Sequence, residues 1–247
     1  MSLSPELQTL RDKQPFYEGN DEVKKTLSTK VLSLLIAPTA VGKSTIVKEV
    51  LGQQTTWSEV GSFTTRPRRP NDPDNYRTGS EGITTASMIE QINNGELVNY
   101  SIHPAGYIYG TPPESFPSGY NLLPVLPDSV PVLQRAGFKR VETSYIVTEV
   151  EAWKIRLGDR ISDPSISARM EEAVVSLRYG LDNADDLNFI ENAGGPEGLQ
   201  IAVQNIIDIT LGKHEATLDK NRLVELTKDM LTFAEQVMKE HSLEDKS

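Results

Sequence analysis

The chain has 247 residues, no cysteine and a formal net charge of −10. The missing cysteines exclude disulfides, thiolate metal sites and cysteine nucleophiles, and the acidic balance argues against nucleic acid and anionic membrane surfaces as partners. Hydrophobic residues at 37% and charged residues at 24% suit a chain that buries a core and stays in solution.

Residues 1–29 are polar and rich in charge, with no apolar signal core, and read as an arm or a short helix of a cytoplasmic protein. Val31–Ala37 is a continuous apolar run bounded by turn signals, the pattern of a strand buried on both faces of a parallel sheet. It is too short to span a membrane. A Gly-Lys-Ser-Thr turn and the helical spacing of Ile46–Leu51 follow, so the order is strand, loop, helix.

Residues 61–80 are loop-like, with prolines, Asn/Asp and a cluster of arginines. Thr84–Asn94 reads as a helix, Leu97–Tyr109 as short antiparallel strands and Asn121–Val125 as a short strand. Ser129–Ala136 reads as a helix ended by Gly137, Glu142–Thr148 as a strand, and Val150–Arg160 and Asp163–Asn183 as helices. Leu187–Ile190 and Gly198–Leu211 complete the alternation of strand and helix that defines an α/β domain with a mainly parallel sheet.

The domain boundaries read as an arm over 1–29, the α/β domain over 30–212 and a helical extension over 213–247. In that extension Leu223, Leu226, Met230, Phe233 and Val237 form one apolar stripe. The stripe either packs back on its own domain or makes a homodimer contact.

Ala37-Pro-Thr-Ala-Val-Gly-Lys-Ser44 fits the phosphate-loop pattern, with Ala37 in place of the usual first glycine. Such a loop wraps a polyphosphate with its backbone N–H groups. Gly42 admits close approach of the backbone, Lys43 sets a compact charge on the β- and γ-phosphates, and the Ser44 hydroxyl is a Mg²⁺ ligand. The following helix presents its positive end to the same anion. A methyl group at Ala37 is tolerated where φ is negative. Downstream, Ser62-Phe-Thr-Thr-Arg-Pro-Arg-Arg69 gathers hydroxyls and guanidiniums. It reads either as a second anion site, for which the planar fork of arginine is suited, or as a solvated basic loop.

These two motifs, in this order, resemble the guanylate kinase family over roughly residues 30–210. The resemblance implies a P-loop NTPase-type three-layer α/β domain with a parallel core sheet, a small nucleoside-monophosphate-binding region and a lid. It implies ATP and Mg²⁺ as cofactors, with GMP the leading acceptor. Carried over by position, Ala37, Pro38, Thr39, Ala40, Val41, Gly42, Lys43, Ser44, Thr45 and Asn192 belong to the ATP site. Ser62, Arg66, Arg69, Tyr76 and Tyr109 belong to the acceptor-phosphate site, although the stretch from Arg66 to Tyr76 is shorter than the family's. Lys43, Arg156, Arg160 and Arg169 would stabilise the transferred phosphoryl group, whose spreading charge needs converging cations.

The sequence departs from the family where the base is read. Asn99 stands at or near the position of a guanine-reading glutamate, and an amide cannot accept twice as a carboxylate can. Pro124 and Leu126 replace an Asp-x-Asp pair, with Asp128 the nearest carboxylate. The reading is therefore a nucleoside monophosphate kinase. The alternatives are a kinase of a phosphorylated sugar and a catalytically weakened binding or scaffold protein.

Overall fold

The structure is a computed structural model that describes residues 3–70, 72, 74–158, 166–213 and 219–244. Its strands form a five-stranded sheet and a three-stranded sheet. The larger takes the order β2-β6-β1-β7-β8, from β1 (Val31–Ile36), β2 (Ser58–Glu59), β6 (Tyr120–Pro124), β7 (Arg140–Val147) and β8 (Asn188–Glu191). Its β2–β6 and β7–β8 pairs are parallel, with Ser58 opposite Asn121 and Tyr145 opposite Phe189. The smaller, antiparallel sheet has the order β3-β5-β4, from β3 (Phe63–Thr64), β4 (Asn99–Ile102) and β5 (Ile108–Thr111). Every residue of β1 is buried, including Ser33, whose hydroxyl accepts from Thr210 Oγ1 at 2.9 Å. Strands alternate with helices as expected, and the fold is α/β.

The chain divides into two units. The first comprises Met1–Leu32, Thr56–Leu123 and Asp128–Val141. The described residues of the stretch 1–29, expected as an arm or a short helix, are largely helical. They fold into α1 (Pro5–Lys13), capped by Ser4, and α2 (Asp21–Leu27), capped by Asn20. Leu7 and Leu10 of α1 enter one core with Met88 and Ile92 of α4 (Thr85–Asn93) and with Tyr100, Ile102 and Ile108 of the small sheet. The Tyr100 hydroxyl donates to the Leu10 carbonyl at 2.7 Å. In the antiparallel register Asn99 faces Thr111 and Ser101 faces Tyr109. Because strand side chains alternate, these four share the face opposite the core.

The second unit comprises Ser33–Thr55, Pro124–Pro127 and Glu142–Ser247. It contains α3 (Lys43–Gln53), α6 (Val150–Leu157), α7 (Ile166–Asp182), α8 (Gly195–Thr210) and α9 (Lys220–Glu244). The apolar stripe of α9 packs back on its own unit: Leu223, Met230, Ala234 and Val237 are buried, with α7 the main neighbour. Phe233 meets the Trp153 ring edge-on at 5.6 Å, and Lys154 lies over the same Phe233 ring at 5.2 Å. Arg178 pairs with Glu235 at 2.8 Å. Most of the stripe is thus covered within the unit, with Leu226 and Phe233 half-buried. Among the described residues no helix is long and apolar enough to cross a membrane.

If α9 is an integral layer, Met230→Ala leaves a cavity against α7 and lowers the unfolding free energy by about 2–5 kcal/mol. Urea denaturation measures this, and an unchanged midpoint would show that α9 contributes nothing to the unit.

A phosphate-loop cavity and a buried arginine site

The loop between β1 and α3 holds two backbone conformations that side chains resist. Gly42 has φ 101° and Ala40 has φ 62°. The left-handed geometry costs about 1–2 kcal/mol for a residue with a Cβ, so the strain of this loop falls on Ala40. Ala37 is outside that region, and its methyl group is accommodated. At Gly42 a Cβ would lie 2.6 Å from Asn192 Nδ2, so glycine is needed for both conformation and space.

Three side chains hold the loop by its carbonyls. Trp153 Nε1 donates to the Thr39 carbonyl at 2.8 Å. Arg156 Nη1 and Asn192 Nδ2 both donate to the Val41 carbonyl, each at 2.8 Å. Arg156 Nη2 continues to the Asn192 carbonyl at 2.9 Å, which also accepts from Thr148 Oγ1 at 2.9 Å. The Thr39 and Val41 carbonyls are thus satisfied by protein donors. The first-turn N–H groups of α3, which begins at Lys43, have no intrahelical acceptor.

The loop borders a cavity of about 740 Å³ within the second unit. Ala37, Pro38, Thr39, Ala40, Gly42, Lys43, Ser44, Thr45 and Asn192 all line it. Val41 does not: its side chain is fully buried, and its part is the carbonyl. Burial lowers the pKa of the Lys43 ammonium, and the Glu172 carboxylate partly opposes that shift. Glu172 on α7 lines the cavity, as do Gly194 and Gly195, where α8 begins with positive φ at both glycines. None of the three was singled out from the sequence. The Gly-Gly pair just after a strand is the signal that could have found the last two.

The predicted catalytic arginines separate. Arg156 lines the cavity, but its guanidinium is engaged with the two carbonyls already described. Arg169 is exposed on the first turn of α7 and does not line the cavity. Arg160 lies outside the described residues. Among carboxylates weighed for the metal, Asp128 belongs to the first unit, where it is exposed and accepts from Gln14 Nε2 at 3.5 Å. Pro124 ends β6, and Leu126 is 49% exposed.

The residues expected to bind the acceptor all lie in the first unit. Arg66 Nε donates to the Tyr109 hydroxyl at 3.0 Å, and the Tyr76 hydroxyl is hydrogen-bonded to Ser62. Burial raises the pKa of Tyr76. Asn99 lies on the Tyr109 face of the small sheet, and its buried Oδ1 has no hydrogen-bond partner among the described residues. The Arg69 side chain is exposed, whereas Arg68 pairs with Glu81 at 2.7 Å. The sequence reading missed Asp72. Its carboxylate takes the Arg66 guanidinium through Nη1 at 2.7 Å and Nη2 at 2.6 Å, and accepts the Arg69 backbone N–H at 2.7 Å.

The fold and the loop define an α/β domain of the phosphate-loop type. Within that class the sequence is similar to the guanylate kinase family. It is 36% identical over 97 residues to guanylate kinase from Thermobifida fusca, a match covering 39% of this chain and 44% of that protein. It is 36% identical over 86 residues to guanylate kinase from Oceanobacillus iheyensis, covering 33% and 38% respectively. The chain thus matches less than half the length of these curated relatives. No protein-family model matches it. Among solved structures, guanylate kinase from Anaplasma phagocytophilum aligns over 77% of this chain and 89% of that one, with 15% identity and a TM-score of 0.48.

The carbonyl clamp predicts that Arg156→Ala lowers stability by about 1–3 kcal/mol, because the Val41 and Asn192 carbonyls each lose a donor. Thermal unfolding without ligand is the readout, and wild-type stability in that variant would contradict the clamp.

Proposed function

We propose that this protein is an ATP-dependent phosphotransferase that passes the γ-phosphoryl group to a nucleoside monophosphate, with GMP the leading candidate. The observation that carries the reading is the position of Lys43. It lines the phosphate-loop cavity at the start of α3, where burial disfavours its charge and polyphosphate oxygens would stabilise it. A second group of phosphate-type ligands, Ser62, Arg66, Tyr76 and Tyr109, supports an acceptor that itself carries a phosphate. That acceptor is already anionic, so the transfer needs no protein base.

The oxygen donors lining the cavity suit Mg²⁺. The Ser44 hydroxyl and the Glu172 carboxylate are hard ligands, and Mg²⁺ usually keeps most of its shell as water and substrate phosphate. Ser44 would hold the ion, which would supply charge neutralisation to the bound phosphates. The chain's own part is to position the phosphates by the loop N–H groups and to stabilise their charge by Lys43.

One observation favours a different acceptor. Asn99 and the Pro124/Leu126 segment lack the carboxylates that would read guanine, so a phosphorylated sugar remains the second candidate. A protein that binds the nucleotide without turnover would keep the loop and show no transfer.

Lys43→Ala is expected to weaken ATP binding by about 2 kcal/mol or more while the unfolding transition stays cooperative. Titration calorimetry with ATP and Mg²⁺ measures it, and an unchanged affinity would remove ATP from this cavity.

A further inference from the structure

Arg66 and Asp72 form a fork-to-fork ion pair whose side chains are only 6% and 7% exposed. The rest of the guanidinium is nearly used up, because Nε bonds Tyr109 and Nη1 also bonds the Pro67 carbonyl at 3.0 Å. The second face of the carboxylate takes the Arg69 backbone N–H. A phosphate monoester offers a guanidinium the same pair of oxygens with more charge. The groups that bind Asp72 are therefore the groups that would bind an acceptor phosphate. Both cannot hold the Arg66 fork at once.

We propose that Asp72 is a built-in competitor for the acceptor anion: its carboxylate occupies the fork of Arg66, and a phosphate monoester binds there by displacing it. This rests on the reading of Arg66 as an acceptor-phosphate ligand. Asp72 is six residues from Arg66 in the chain, so it competes at the high effective concentration of a short tether. The apparent affinity of the anion is reduced by the fraction of molecules in which the fork is free. The hydrogen bonds from the Arg66 guanidinium, and then from the Arg69 N–H, hold the Asp72 carboxyl far below the usual carboxylate range. Protonation therefore does not release it under ordinary conditions, and ligand must do so. The device makes the acceptor site selective for anions that outbid a carboxylate, a dianionic phosphate above all.

The test is calorimetric titration of the full chain with GMP and, as a base-free probe, inorganic phosphate. Asp72→Asn keeps the side chain's shape and removes its charge. The variant is expected to bind both probes about tenfold tighter than the wild type, by freeing the fork. Equal or weaker binding in the variant overturns the proposal and makes Asp72 a positioning residue for Arg66. Silence of both proteins toward both probes overturns the acceptor reading, and this inference with it.

Removing the partner of a buried guanidinium can itself unfold a protein, so a second measurement uses the wild type. Carboxylate ¹³C resonances should show Asp72 silent through the ordinary titration range in the free protein, and titrating near the usual value of about 4 with saturating GMP. An Asp72 that stays silent in the saturated protein also overturns the displacement.

Discussion

The carbonyl of Val41 is the point on which the phosphate loop depends. Two side-chain donors from distant parts of the chain, Arg156 and Asn192, meet on this one acceptor. They hold a loop that contains a left-handed alanine and a glycine with no room for a Cβ. A strained loop persists only where its surroundings over-determine it. Here the surroundings are α6, through Trp153 and Arg156, and the residue after β8, through Asn192. Support reaches further back, because Trp153 packs against Phe233 of α9. The C-terminal helix thus bears on the cavity without contributing to its lining.

The two units treat their cations differently. In the second unit burial disfavours the Lys43 ammonium, and the Glu172 carboxylate partly offsets that. In the first, Arg66 is saturated by Asp72 and Tyr109. The guanidinium charge can stay buried because a carboxylate with good fork geometry accompanies it. On the proposed reading the two cations take different ligands: a polyphosphate at Lys43, and at Arg66 a phosphate that displaces the Asp72 carboxylate.

Much of this was legible in the residues. The mainly apolar run of β1, the glycine and lysine of the loop and the helical spacing after them define the strand–loop–helix unit. The apolar stripe of α9 announced a packed face, though not which surface covers it. The arm was underread because Leu7 and Leu10 are sparse among charges, and only the small sheet shows what they pack against. Arg156 was read as a free cation because composition and spacing cannot reveal a carbonyl partner more than a hundred residues away in sequence. Asp72 was missed for the opposite reason. It is so close to Arg66 in sequence that it reads as part of a loop, and only the geometry shows a buried pair.

The central claim is that the chain moves a phosphoryl group from ATP to a phosphorylated acceptor. It is tested most directly by ³¹P NMR of the purified protein with ATP, Mg²⁺ and, in turn, GMP, other nucleoside monophosphates and ribose phosphates. The account predicts loss of the ATP γ-resonance together with growth of a diphosphate signal from one acceptor, GMP first. An unchanged ATP spectrum across every acceptor, from a folded protein that binds ATP, would contradict it and leave a nucleotide-binding protein without transfer.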